Sequence, residues 1–286
     1  DIVLNNGVKI PSLGFGTAAI GEWQQDDDAV VSVIQSAIES GYRYIDGSAV
    51  SGNEISIGRA IKKSKINRDE LFVVTKVWNG DQGYDATLRA FEQSRLNLGL
   101  DVIDLYLIHW PIEDKLTETW KAMEMLYEQK RVRAIGVSNF RINDLEQLLA
   151  ISTVTPVCNQ IELHPYFSQS KLRKYCLEHS IQVIGWSPLG TGTWSNITFE
   201  KKPINDSVIQ KIAHDHHVSA AQVILRWNVQ NNVIPVPKAE TEQHIKQNIC
   251  LDHFTLSDHE IKIIDELNQN LRLGPIPGSS GSDQYA

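Results

Sequence analysis

A series of short apolar runs in this chain each ends on a side chain that can do chemistry. The endings are Asp46, Lys76, His109, the pair Ser138 and Asn139, Gln160, Ser187 and Lys238. A polar group buried without a partner costs free energy. One such ending can be structural, but one per run marks a functional face. Asp46 and Lys76 carry opposite charges, and two readings stand side by side: a structural ion pair, or charge handling at a reacting centre. His109, taken alone, reads as a core histidine. Placed after Leu107-Ile108 and before Trp110-Pro111, at the end of a strand-like run, it is positioned for hydrogen-bond or proton chemistry.

The elements that must present these residues alternate along the chain. Strand-like runs cover 13–16, 44–45, 71–75, 102–108, 132–137, 157–161, 181–186 and 233–236. Helical patterns fill 26–40, 53–63, 85–98, 116–129, 142–149, 170–178, 206–216 and 241–248. Gly41 and Gly99 read as helix stops, and Asn143 or Asp144 as the start of the fifth helix. Alternation of this kind over 286 residues predicts an α/β fold, a closed (β/α)8 TIM barrel forming a single domain over 1–286. Asn6-Gly7 reads as a hairpin turn that caps the barrel bottom, 257–267 as an extra C-terminal helix, and 274–286 as a loosely held tail. In such barrels function gathers where strands end, at the C-terminal face, and the polar endings fall there.

Composition narrows the partners. A net charge of −8 argues against nucleic acid or an anionic membrane surface. No apolar run approaches a membrane span and no signal segment opens the chain. The start at Asp1 without Met reads as a processed or trimmed terminus. Cys158, Cys176 and Cys250 form no C-x-x-C pair and read as free thiols of a reducing compartment. The expectation is a cytoplasmic protein, a monomer or weak dimer, whose partner is a small molecule. Two matches to the glycosylation sequon, at Asn196 and Asn205, read as chance. His214, His216 and His217 cluster near a helix end, but no further ligand completes a metal site.

Several longer motifs occur in a fixed order: 11–17 (PSLGFGT), 75–78 (TKVW), 104–111 (DLYLIHWP), 136–140 (GVSNF), 159–166 (NQIELHPY), 187–190 (SPLG) and 233–238 (VIPVPK). With 44–54 (YIDGSAVSGNE) they resemble the aldo-keto reductases, and most closely the short-loop bacterial diketogluconate-reductase-like branch. The resemblance covers nearly the whole chain. It implies hydride transfer from a nicotinamide cofactor to an aldehyde or ketone. The implied catalytic set is a tyrosine as proton donor, a lysine (Lys76) that lowers the phenol's pKa, an aspartate (Asp46) paired with that lysine, and a histidine (His109) that positions the carbonyl.

The resemblance fails at one place. The family reads Asp-Thr-Ala-x-x-Tyr-x-Asn-Glu, and here Asp46, Asn53 and Glu54 stay in register while Gly47, Ser48 and Ser51 replace the threonine, the alanine and the tyrosine. A serine hydroxyl sits one bond from Cβ. It is also a far weaker acid than a phenol of pKa about 10. The expectation is a reductase with reduced turnover, its proton given by His109 or by a water on Lys76. The alternatives are a reshaped pocket for a bulkier substrate or another reaction, and a nucleotide-binding protein without efficient turnover. Tyr42, Tyr44 or Tyr84 supplying the phenol is a further option. Tyr44 shares the face of Asp46 but sits deeper.

For the cofactor, the resemblance assigns Gly16, Thr17 and Asp46 to the seat, Ser138, Asn139 and Gln160 to the carboxamide, and Trp186 to stacking on the nicotinamide. Ser187, Leu189 and Gly190 resemble a loop that passes the pyrophosphate. At the adenosine end, Lys238, Gln247 and Asn248 match, whereas Ala239 and His244 stand where the family often has serine and arginine for the 2′-phosphate. Histidine lacks the forked, permanent charge of a guanidinium, and Glu240 and Glu242 add negative charge. The expectation is NADPH or NADH as cofactor with a weakened 2′-phosphate site. Trp23, Trp78, His109 and Trp110 are the expected substrate-facing residues, with Trp194 in a further loop; no metal is expected. Glu54 is expected to cap or steady the second helix, and His164 to be structural.

Overall fold

A computed structural model describes residues 1–18, 20, 27–190 and 202–277. Two short strands, β1 (Ile2–Val3) and β2 (Lys9–Ile10), form an antiparallel hairpin in which Ile2 faces Ile10. Its turn needs a left-handed backbone, and Gly7 supplies it with φ +84°. Asn5 Nδ2 donates to Pro156 O and Ser180 O, and Asn6 Nδ2 to Arg133 O, each at 3.1 Å. These carbonyls lie at the N-terminal ends of barrel strands, so the hairpin closes the bottom as expected. Leu4 and Ile10 plug the barrel interior.

The barrel strands are β3 (Phe15–Gly16), β4 (Tyr44–Asp46), β5 (Phe72–Val77), β6 (Ile103–Ile108), β7 (Val132–Ser138), β8 (Cys158–Glu162), β9 (Gln182–Trp186) and β10 (Val233–Val236). They pair in parallel in chain order. The amides of Gly14 and Gly16 donate to Pro235 O and Pro237 O, both at 3.0 Å, and join the first strand to the last.

Side chains along a strand alternate between faces, and this period sorts the residues. Tyr44, Val74, Leu107, Cys158, Ile184 and Val236 belong to the interior cluster, while Ile45, Val73, Tyr106 and Ile108 pack outward against the helices. Two residues beyond each interior position lie Asp46, Lys76, His109, Gln160, Trp186 and Lys238. The same parity that fills the interior therefore aims the polar endings into the mouth.

Helices α1 (Asp28–Glu39), α2 (Glu54–Lys63), α3 (Tyr84–Leu98), α4 (Leu116–Glu128), α5 (Ile142–Ile151) and α6 (Ser170–Glu178) occupy the expected crossovers. Glu54 does more than steady α2. Its buried carboxylate accepts from Thr75 Oγ1 (2.7 Å) on β5 and Asn97 Nδ2 (3.1 Å) on α3. Helix α5 begins at Ile142, where the pattern put it, but neither Asn143 nor Asp144 opens it. The N-cap is Arg141, and Asp144 is its third helical residue, accepting from the Arg141 amide at 2.8 Å.

The larger correction lies between β9 and β10. The segment 206–216 does form a helix, α7 (Ser207–His216), but a second one follows it, α8 (Ala220–Gln230), capped by a Ser219–Gln222 box. Val223, Ile224 and Leu225 are all buried. A contiguous branched run of that kind hides the helical period and resembles a strand. Beyond β10, α9 (Glu242–Ile249) completes the barrel and α10 (Asp258–Asp265) is the extra C-terminal helix. Among the described residues no helix is long and apolar enough to cross a membrane. All three cysteines are free thiols.

Trp227 ties α8 into the structure. Its ring is fully buried and its Nε1 donates to Asp265 Oδ1 on α10 at 2.9 Å. Trp227→Ala should cost about 3–5 kcal/mol of unfolding free energy in urea. Trp227→Phe, which keeps most of the buried ring and loses the bond, should cost about 1 kcal/mol beyond the lost ring area.

Candidate active site

The polar endings converge on one cavity of about 450 Å³ at the C-terminal mouth. Its floor is a buried ion pair. Lys76 Nζ donates to Asp46 Oδ1 at 2.6 Å and to Gly47 O at 2.7 Å, with the two side chains 5% and 8% exposed. Holding a charge this far from water is expensive unless most of its hydrogen-bonding capacity is met. Asp46 meets that condition. Its Oδ2 accepts from Tyr44 Oη and from Gln160 Nε2, each at 2.6 Å. Two of the three N–H groups on Lys76 are engaged in these bonds, and the remaining one has no partner among the described residues.

Ser51 lies on the 3₁₀ turn Ala49–Ser51 that follows β4, and it too lines the cavity. It is buried, and its hydroxyl and that of Ser48 hydrogen-bond to each other at 2.6 Å. No tyrosine lines the cavity among the described residues. Tyr44 lies below Asp46; burial first, and then the Asp46 charge, hold its phenol well above the ordinary value. Tyr42 Oη donates to Ile245 O at 3.4 Å and Tyr84 Oη to Met125 Sδ at 3.3 Å, both away from the mouth.

His109 stands at the cavity wall between two indoles. Trp78 meets it edge-on with centroids 5.1 Å apart, and Trp110 stacks parallel to it at 6.3 Å. Part of the ring opens to the cavity, while Nδ1 is enclosed without a partner. Enclosure first, and then the Lys76 charge, hold the imidazole well below 6.5. It is neutral at pH 7, so it offers one N–H for a hydrogen bond and no imidazolium proton.

The opposite wall is built from amides and an indole. Asn139 follows β7 with φ +63°, a left-handed conformation that asparagine tolerates. There its Nδ2 donates to His109 O (2.9 Å) and Ser138 Oγ (3.1 Å), and its Oδ1 accepts from Trp186 Nε1 (2.9 Å). Ser138 Oγ donates to Gln160 O at 2.8 Å. Gly16, Thr17, Ser187, Leu189 and Lys238 complete the sequence-predicted lining. Ala18, Val50, Lys202 and Pro275 also line it. They come from loops and the C-terminal segment, where no hydrophobic period signals position.

Of the other predicted residues, Ala239, His244, Gln247 and Asn248 do not line the cavity. Ala239 and Asn248 are buried, and His244 is exposed on α9, whose N-cap is Thr241. Lys238 Nζ is 2.7 Å from Glu240 Oε1, and Lys246 pairs with Glu242. Trp23 and Trp194 lie outside the described residues. His216 pairs with Glu260 at 2.8 Å. Among the described residues no group of three or more His, Cys, Asp or Glu side chains is placed to hold a metal ion.

The chain belongs to the aldo/keto reductase family, which residues 12–269 match. Among its relatives, the 9,11-endoperoxide prostaglandin H2 reductase of Trypanosoma cruzi is 44% identical over 277 residues, 96% of this chain and 94% of that protein. The glyoxal reductase of Bacillus subtilis is 44% identical over 276 residues, covering 96% of this chain and 95% of its own length. The crystal structure of a Bombyx mori aldo-keto reductase in complex with NADP superposes with a TM-score of 0.88 at 35% identity, over 99% of this chain and 96% of that one.

His109 leaves a signature in stability. As pH falls below 6.5 the unfolded chain takes up a proton on this imidazole and the folded chain does not, so the unfolded state gains. From about pH 7 to about pH 5 the unfolding free energy in urea should fall more steeply for the wild type than for His109→Asn. Equal slopes would show that His109 titrates freely.

Proposed function

We propose that this chain reduces an aldehyde or ketone with hydride from NADPH or NADH, at a turnover lowered by the loss of its phenolic acid. The observation that carries the reading is the Lys76–Asp46 pair, 2.6 Å long, sharing one cavity with His109, Asn139, Gln160 and Trp186, with Ser51 at the tyrosine position. The walls suit a dinucleotide. They offer the flat indole of Trp186, amide groups for a carboxamide, and Lys238 at the rim. When bound, the reduced pyridine ring supplies the hydride that becomes the new C–H bond.

The carbonyl oxygen then carries negative charge and needs a proton. Neutral His109 holds that oxygen by a hydrogen bond but is a poor acid. Ser51 is paired with Ser48 and is weaker still. The proton comes from a water held by the third N–H of Lys76; the hydroxide left beside the ammonium takes a proton from solvent through the mouth, and the product is the alcohol. Trp78 and Trp110 give the substrate end an apolar wall. The absence of a tyrosine from the described lining also favours a second reading, a nicotinamide-nucleotide-binding protein without efficient turnover.

The 2′-phosphate contacts are reduced in the same reading. Lys238 is shared with Glu240, Ala239 has no hydroxyl, and His244 replaces a guanidinium. NADH and NADPH are therefore both accepted.

A carbonyl panel with both cofactors tests the proposal. Ser51→Tyr should raise the steady-state rate by roughly a hundred- to ten-thousand-fold, and Lys76→Met should remove the remaining activity. No gain in Ser51→Tyr would show that this position does not limit the chemistry. Gly47→Thr is the less informative reversion, because a β-carbon there would meet Ile57 Cδ1 at 2.9 Å and Val74 O at 3.2 Å. Dissociation constants for NADH and NADPH should differ by less than about tenfold; a much larger NADPH preference, lost with salt, would contradict the weakened phosphate site.

A further inference from the structure

Trp186 is held from two sides. Its Nε1 donates to Asn139 Oδ1 at 2.9 Å. Against the far edge of its ring lies Gly274, where a β-carbon would sit 2.3 Å from Cη2 and 3.0 Å from Cζ3. Only a residue without a side chain lets the backbone lie on the indole there.

Glu162 brings that backbone into place. It ends β8 and is wholly buried. Its Oε1 accepts from the Leu273 amide at 2.6 Å and from His164 Nε2 at 3.0 Å. Its Oε2 accepts from the Gly274 amide at 3.0 Å and lies 3.5 Å from Arg272 Nη1. One carboxylate thus grips two consecutive amides from the far end of the chain. Upstream, Tyr166 O accepts from the amides of Gln269 and Leu271, both at 3.0 Å. The Arg272 guanidinium lies 4.6 Å over the Phe167 ring. Downstream, Pro275 lines the cavity. A buried carboxylate is retained only where its partners offset the loss of water, and here most of those partners belong to the strap.

We propose that Glu162 and Gly274 are positioning residues for Trp186: the carboxylate latches the strap 271–275 across the mouth, and the bare glycine sets the angle and depth of the indole. For the reaction this matters through the reading of Trp186 as the plate for the pyridine ring, on which the inference rests. Neither residue touches substrate. Both act by fixing where the ring settles relative to Lys76 and His109, and small displacements at a reacting centre lower rates steeply.

The test compares the wild type with Glu162→Gln and Gly274→Ala. In the protein without nucleotide, two signals report the latch: hydrogen exchange at Leu273 and Gly274, and the indole N–H resonance of Trp186, assigned with Trp186→Phe. Glu162→Gln presents an amide N–H to a backbone N–H, so exchange at both amides should quicken about tenfold or more, with that of β4 to β7 unchanged. Gly274→Ala leaves the carboxylate intact and should shift the indole resonance by displacing the ring. Both variants should bind NADPH and NADH about tenfold or more weakly. An indole resonance unmoved in both variants overturns the inference, as does wild-type affinity in both. Should Glu162→Gln not fold, Gly274→Ala decides alone. If the wild type binds neither nucleotide, the proposed function falls, while the exchange and resonance data still support or overturn the latch.

Discussion

The buried contact between Lys76 and Asp46 is the constraint around which the mouth of this barrel is organised. Two opposite charges sit almost out of reach of water. They are tolerated because Asp46 accepts three hydrogen bonds and Lys76 makes two. Breaking a pair of this kind by removing one partner typically costs about 3–5 kcal/mol. The donors come from separate strands: Tyr44 from β4, Lys76 from β5, Gln160 from β8. A barrel that did not close would leave the carboxylate short of a donor. Chemistry and folding therefore draw on the same contacts.

That contact also decides what its neighbours can do. Enclosure and the Lys76 charge together hold the nearby His109 imidazole well below its ordinary pKa. On the turn after β4, the short hydroxyls of Ser48 and Ser51 satisfy one another. The cavity retains an ammonium, an imidazole, amides and an indole plate. Among the described residues no tyrosine lines it. Family membership and fold do not depend on a single side chain at a loop.

Much of the molecule was legible in the sequence because strand periodicity is rigid. The end of each strand-like run marks the C-terminal face, so Asp46, Lys76, His109 and Gln160 could be placed in one mouth before any coordinates. Helix α8 was not legible, since Val223-Ile224-Leu225 is apolar on every side. The cap of α5 was misassigned because Arg141 holds it through Asp144, a pairing that carries no cap-residue signal. Glu162 stood in a recognised motif, but nothing near it in sequence indicated that its partners lie more than a hundred residues downstream.

What the sequence alone determined is the alternation of strands and helices, the set of polar endings and the presence of Ser51 five residues after Asp46. These follow from local period and residue type, which are written in one dimension. Only the tertiary structure decided that Tyr44 donates to Asp46 and stays out of the cavity, that Ser48 engages Ser51, and that a C-terminal strap rests on Trp186. Each of these is a contact between groups whose separation depends on how eight twisted strands close, and no run of residue types encodes that distance.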